Sequence, residues 1–263
     1  MKDLKISIIQ SDLFWENIEA NLAHFEEKMW AIQDDVDLII LPEMFSTGFT
    51  MNVERLSEPP NFKTFRWMLQ MAGQKKAVIM GSYIVKESNN YFNRLYAVYP
   101  DETFRYYDKK HLFTLGKEQD FFEPGEEKTI VPIKGWRVCP LICYDLRFPV
   151  WSRLKSDGPE FYEYDVLVYV ASWPKMRVNA WDTLLSARAI ENQSYCIGVN
   201  RIGIDGNNLE YPGHSGVYDY SGVQQKYLGA KATTLITVLS KENLDLFRSN
   251  FPFQKEADSF IFL

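Results

Sequence analysis

Apolar runs of strand length alternate with amphipathic helical segments through both halves of this chain, and that rhythm limits its fold more than any other feature. Residues 4–10 (LKISIIQ) carry β-branched residues in partial alternation and predict a strand. Between Trp15 and Ile32 the residues Ile18, Leu22, Phe25, Met29 and Ile32 recur at gaps of four and three, which is one face of a helix. The run 36–41 (VDLIIL) predicts a buried strand closed by Pro42. Phe62, Phe65, Leu69 and Ala72 predict a second helix, ended by Gly73, and 77–83 another strand. Segments 95–100 and 103–107 predict a hairpin turning at Asp101-Glu102.

The second half repeats the pattern. Strands are expected over 138–143, 165–171 and 194–200, a short helix over 146–154, and a longer helix over 179–192. Further strands follow over 217–220, 224–228 and 233–239, the first two turning at Ser221-Gly222. Such βαβ units with added hairpins predict an α/β fold with two sheets. With no linker, low-complexity tract or repeat in 263 residues, the whole of 1–263 is expected to be a single domain.

Composition narrows the class of function. A net charge of −6, with no basic cluster, argues against a nucleic-acid or anionic-membrane partner. No stretch reaches the roughly 18 apolar residues of a membrane span. The opening Met1-Lys2-Asp3-Leu4 runs into a strand with no secretory h-region, and the odd set Cys139, Cys143 and Cys196 has no disulfide-framework spacing. A reducing, cytoplasmic setting is expected. His24, His111 and His214 are scattered and Cys139/Cys143 is a CxxxC pair, so a zinc site is not expected.

Three reactive side chains share one topological position. Glu43 follows the strand 36–41, Lys109 follows 103–107, and Cys143 ends 138–142. In α/β folds ligands gather at the carboxyl ends of strands. Cys143 stands where a strand meets a helix, and the free N–H groups of that first turn are expected to lower its thiol pKa and to offer donors to an oxyanion. A carboxylate can take a thiol proton and return it to a leaving amine, an ammonium can hold a tetrahedral anion together with the Tyr144 N–H, and a thiolate can attack an amide carbon. Taken singly, each residue also suits an ordinary role: a buried cysteine, a surface carboxylate, a solvated lysine beside Lys110. His111 suits a packed loop position better than a base.

The segments LPEMFSTGF (41–49), YDKKHLF (107–113) and CYDLRFP (143–149) resemble the three signature segments of the carbon–nitrogen hydrolase, or nitrilase, superfamily. ASWP (171–174), RAIENQ (188–193), NRIGIDG (200–206) and YPGHSG (211–216) extend the resemblance over nearly the whole chain. It implies a four-layer αββα sandwich of two mixed sheets flanked by helices, pairing into homodimers or larger assemblies. It also implies Glu43 as catalytic glutamate, Lys109 as catalytic lysine, Cys143 as nucleophile and Glu118, seven residues before Gly125, as a second glutamate steadying the lysine.

The pattern is most similar to the omega-amidase branch. That implies an amidohydrolase, without cofactor, releasing ammonia from the terminal amide of a small 2-oxo acid such as 2-oxoglutaramate through a Cys thioester. A substrate carboxylate then needs a cationic partner, for which Arg147, Lys175 and Arg177 are candidates, with Phe113, Trp173 and Phe148 as candidate walls. Cys139 and Cys196, inside strands, read as structural. A nitrile, an N-carbamoyl compound or another linear amide is the alternative substrate, and a silent binding protein on the same fold the alternative function. In the tail 247–263, Phe251, Phe253, Phe260, Ile261 and Phe262 are expected to pack on the body or on a neighbour.

Overall fold

In the computed structural model, which describes residues 2–154 and 162–258, the alternation folds into two six-stranded mixed sheets. The first half gives β1 (Leu4–Gln10), α1 (Ile18–Trp30), β2 (Leu38–Ile40), α2 (Val53–Leu56), α3 (Lys63–Lys75), β3 (Val78–Glu87), β4 (Asn90–Val98) and β5 (Phe104–Asp108). The second gives β6 (Val131–Ile133), β7 (Trp136–Ile142), α4 (Pro149–Ser152), β8 (Val166–Ala171), α5 (Val178–Asn192) and β9 (Tyr195–Asn200). It continues with a separate ribbon of β10 (Ile202–Ile204) and β11 (Glu210–Pro212), then β12 (Gly216–Tyr218), β13 (Gln224–Tyr227), β14 (Thr233–Leu239) and α6 (Lys241–Asn250).

The first sheet has the order β14-β1-β2-β3-β4-β5 and the second β13-β12-β9-β8-β7-β6. Parallel pairing joins β1 to β2 to β3, and β7 to β8 to β9. The last strand closes on the first, from Leu4 opposite Leu239 to Gln10 opposite Thr233.

The two-residue period of the strands explains the layers. Leu4, Ile6, Ile8, Leu38, Ile40 and Met80 face the second sheet and share one core with Val138, Val166, Val168 and Val170. The intervening Ile9, Ile39 and Ile79 face the other way, against Leu22, Phe25 and Met29 of α1 and Phe65, Met68 and Met71 of α3. On the far side α5 lies against β9 at Gly198, where a Cβ would stand 2.5 Å from Leu185 and 2.6 Å from Trp181. The result is the expected αββα sandwich. Each aliphatic side chain so buried contributes about 1.5–3 kcal/mol.

Several local expectations are corrected. Gly73 does not end the second helix: α3 runs on to Lys75 and stops at Lys76, which is left-handed (φ 52°). The strand predicted over 77–83 extends to Glu87 and turns through left-handed Ser88 and Asn89 into β4, a hairpin the sequence reading did not contain. The helix expected over 146–154 is a 3₁₀ turn, Cys143–Arg147, followed by the single turn of α4 with Pro149 at its first position. Of the tail, Phe251 and Phe253 pack edge to face, and the Phe251 carbonyl accepts from Gln193 Nε2 beyond α5. Phe260, Ile261 and Phe262 lie outside the described residues.

One buried carboxylate ties the C-terminal helix to the second sheet. Asp165, just before β8, accepts from Arg137 Nη2 at 3.0 Å and Arg248 Nη1 at 2.8 Å, and pairs with Lys241 at 2.7 Å. Burial alone would raise its pKa, but the Arg137 and Lys241 hydrogen bonds and the surrounding positive charge bring it down from 3.8 to about 2. A lowered folded-state pKa contributes stability above the unfolded value that is lost as pH falls through the folded one. Asp165→Asn is therefore expected to cost about 3 kcal/mol near neutrality. In urea denaturation the gap between wild type and variant should narrow as pH falls from 3.8 towards 2. An equal gap at every pH would refute this.

Candidate active site

The loop after β2 carries Glu43 into the interior. Its turn is held by the β3 residue Ser82, which accepts the Met44 N–H on Oγ at 2.9 Å and the Phe45 N–H on its carbonyl at 3.0 Å. Glu43 is wholly buried. Its Oε1 accepts from Lys109 Nζ at 2.9 Å and Asn93 Nδ2 at 2.9 Å, and its Oε2 from the Ser172 N–H at 2.7 Å.

Lys109 directly follows β5. Its N–H donates to the Asn93 carbonyl at 3.1 Å and its carbonyl accepts the Gly125 N–H at 2.9 Å. Residue 125 has to be glycine, because a Cβ there would stand 2.1 Å from the Asp108 carbonyl oxygen. The ammonium reaches Glu118, also wholly buried, at 2.8 and 3.1 Å. Glu118 enters through the left-handed Lys117 (φ 58°) and is fixed by the Phe113 N–H on Oε2 at 2.7 Å and by Asn93 Nδ2 on Oε1 at 3.2 Å.

Cys143 arrives from the other sheet. At the elbow between β7 and the 3₁₀ turn it is left-handed (φ 44°), a strained state for a residue with a side chain. Asp145 restrains the elbow: its Oδ2 accepts the Ile142 N–H at 3.0 Å and the Tyr107 hydroxyl at 2.7 Å. Its Oδ1 accepts the His111 N–H at 2.9 Å and lies 2.8 Å from His111 Nδ1. The His111 ring stacks on Phe148 with centroids 3.7 Å apart. His111 is thus a packed loop histidine. Phe148, expected as a wall, is engaged beneath it.

The electrostatics reverse one expectation. The thiol of Cys143 is not activated by the turn; burial, and next the negative charge of Glu43, push its pKa well above the ordinary value, against the opposing pull of Lys109. Burial disfavours the Lys109 ammonium as well, yet the charges of Glu118 and Glu43 overcome it and hold the amine protonated beyond the ordinary lysine range. Glu118 is raised, first by burial. The resting arrangement is a neutral thiol beside a carboxylate that also holds an ammonium. Such a site can move a proton from sulfur to carboxylate only as sulfur attacks a carbon.

Cys143 and Lys109 open onto a cavity of about 580 Å³. Tyr144, Phe113, Trp173, Arg147 and Arg177 line it. The Arg147 guanidinium lies 4.9 Å over Trp173 and that of Arg177 5.1 Å over Phe113, and Trp173 Nε1 donates to the Arg177 carbonyl at 2.8 Å. Among the described residues neither guanidinium is in an ion pair. The acidic residues of the wall are engaged: Glu16 with Arg55, and Asp205 with the Tyr211 hydroxyl at 2.8 Å and two backbone N–H groups. Lys175 turns outward to Glu210 at 2.8 Å instead. Cys139 and Cys196 are buried in β7 and β9, and burial raises both thiols, Cys139 to about 12. Among the described residues no group of His, Cys, Asp or Glu could hold a metal ion.

Asn93, Ser172 and Asp145 escaped the sequence reading, although Ser172 and Asp145 lie inside the quoted segments ASWP and CYDLRFP. The neutral thiol gives a direct test. The ultraviolet thiolate absorbance of wild type minus Cys143→Ser should stay flat through pH 9.0, the ordinary thiol value. A thiolate step at or below that pH would contradict the arrangement.

Comparison with known proteins identifies the family. The carbon-nitrogen hydrolase family pattern matches residues 5–248. The chain is 40% identical to the omega-amidase YafV of Yersinia enterocolitica over the full length of both, and 30% identical to the 2-oxoglutaramate amidase of Bacillus subtilis over 81% of this chain and 82% of that one. The solved structure of XC1258 from Xanthomonas campestris, a CN-hydrolase superfamily protein with an arsenic adduct in its active site, superposes on all of the chain with a TM-score of 0.97 at 38% identity, itself covered in full. This chain therefore belongs to the carbon–nitrogen hydrolase family.

Proposed function

We propose that this chain is an omega-amidase, an amidohydrolase that releases ammonia from the terminal amide of a small 2-oxo acid such as 2-oxoglutaramate. The observation that carries the reading is one cavity holding a thiol, a carboxylate-bound ammonium and two guanidiniums free of ion pairs among the described residues. Full-length similarity to omega-amidases selects the substrate class.

The amide enters with its carbonyl carbon at Cys143 Sγ. As the carbon–sulfur bond forms, Glu43 takes the thiol proton and the carbonyl electron pair moves to oxygen. Lys109 Nζ and the Tyr144 N–H, which belongs to a first turn lacking intrahelical acceptors, hold that oxyanion. On collapse the carbon–nitrogen bond breaks, and Glu43 hands its proton to the departing nitrogen, so ammonia leaves. Water then gives its proton to Glu43 and attacks the thioester carbonyl. The carbon–sulfur bond breaks, the thiol recovers its proton, and the dicarboxylate product departs. Base catalysis of this kind contributes about 10²–10⁴-fold and an oxyanion donor about 10²–10³-fold. Glu118 keeps the ammonium in place.

At the far end Arg147 and Arg177 receive the substrate carboxylate, with Trp173 and Phe113 as walls that also orient the guanidiniums. Planar guanidinium suits a carboxylate. A neutral amide or nitrile gains nothing from this end, and an α-ammonium group brings a third cation to it. We infer in addition a single domain over 1–263 acting as a cytoplasmic homodimer. Its three buried, unbridged thiols suit a reducing compartment, and exposed Ile190 of α5, Leu246 of α6 and Phe251 just after it suit pairing.

Ammonia release from 2-oxoglutaramate, glutamine, a linear nitrile and an N-carbamoyl amino acid tests the reading. The 2-oxo acid amide should be preferred, and Cys143→Ala should lower its turnover by ~10⁴-fold with the fold intact. Preference for a nitrile or carbamoyl compound, or activity retained without the thiol, would overturn it. Arg147→Met and Arg177→Met should each raise KM for 2-oxoglutaramate about tenfold and leave a neutral amide of equal length unaffected. Equal effects on both substrates would remove the arginines from carboxylate recognition.

A further inference from the structure

Two buried carboxylates, Glu43 and Glu118, face a single ammonium, so their mutual repulsion is only partly met by Lys109. The side chain between them is Asn93 of β4, 1% exposed. Its Nδ2 donates to Oε1 of both, at 2.9 Å to Glu43 and 3.2 Å to Glu118. The amide cannot be flipped, since its carbonyl oxygen would then face two carboxylates. In the orientation found, Oδ1 is buried without a partner among the described residues, a cost that packing alone does not explain. The backbone carbonyl of the same residue accepts the Lys109 N–H at 3.1 Å. One residue therefore touches all three charged partners.

The lone pairs of Glu43 give this contact a chemical meaning. Among the described residues Oε1 accepts from both Lys109 and Asn93, whereas Oε2 accepts from one nitrogen donor, the Ser172 N–H. With about two acceptor sites per carboxylate oxygen, Oε2 is the oxygen with room for a further proton. We propose that Asn93 is a positioning residue: its amide saturates Glu43 Oε1, reserves Oε2 for proton exchange with Cys143, and offsets the repulsion that would otherwise drive a proton onto the carboxylate pair. This rests on Glu43 acting as the base. The titratable groups facing the pair are Lys109, Glu118, Cys143 and Tyr211. Asn93 does not titrate, so replacing it changes hydrogen bonding without removing a charge.

The test is the pH dependence of kcat/KM for 2-oxoglutaramate in Asn93→Asp, which keeps the side-chain shape, and Asn93→Ala, which removes the donor without adding charge. A carboxylate that loses a donor holds its proton to higher pH, so the acid limb should move up by about one unit or more in both, with KM on the plateau within about twofold of wild type. An unmoved limb in the folded variants, however large the loss of kcat, overturns the proposal. Failure of both to fold also does so by assigning Asn93 to the fold alone. Should wild type not hydrolyse 2-oxoglutaramate, the substrate reading fails. The same shift is then sought in the pH dependence of Cys143 alkylation by iodoacetamide, and its absence again overturns the role of Asn93.

Discussion

The Lys109 ammonium, sealed between two carboxylates, is the interaction on which the rest of the site depends. Breaking such a pair by removing one partner costs about 3–5 kcal/mol, because the remaining charge is stranded away from water. The loops after β2 and β5 and the turn at Glu118 are therefore not free to drift apart. Two further contacts carry this constraint across the sandwich. The Ser172 N–H after β8 reaches Glu43, and the Tyr107 hydroxyl of β5 reaches Asp145 on the Cys143 elbow. The sulfur is delivered by one sheet and the charges by the other, so the relative position of the two sheets sets the reactive geometry.

That geometry favours a thiol that rests neutral. A strand-to-turn elbow supplies dipoles that would ionise a cysteine in isolation, but here the adjacent carboxylate and the burial outweigh them. In the reading offered here, the proton acceptor is already in place, and ionisation is coupled to attack instead of preceding it. Glu43 and Glu118 share the one Lys109 ammonium, while at the open end the Arg147 guanidinium lies over Trp173 and that of Arg177 over Phe113, with Arg177 Nη1 also donating to Met176 Sδ. The division of the cavity into a closed end where two carboxylates hold one ammonium and a cationic end follows from those contacts.

Much of this was legible in the sequence because the strand and helix periods are strong and because Glu43, Lys109 and Cys143 each follow a strand. The limits of the elements were less legible for specific reasons. Ser88-Asn89 turns a hairpin without glycine or proline, and Lys76 takes the left-handed cap that glycine ordinarily supplies, while Gly73 stays inside the helix. β10 and β11, of three residues each, are too short for a period to register. Asn93 carries no charge and sits in an ordinary strand, so only coordinates reveal that it faces two carboxylates. The direction of the Cys143 shift failed for a related reason: the neighbouring residues show the elbow but not a glutamate from the opposite sheet.

The most direct measurement of the central claim is to quench the enzyme with acid during turnover of 2-oxoglutaramate and to determine the mass of the protein and then of its peptides. The account predicts a gain equal to the acyl portion of the substrate without its ammonia, confined to the peptide containing Cys143. Turnover with that peptide unmodified and the acyl group on Cys139, Cys196 or any other residue would contradict it.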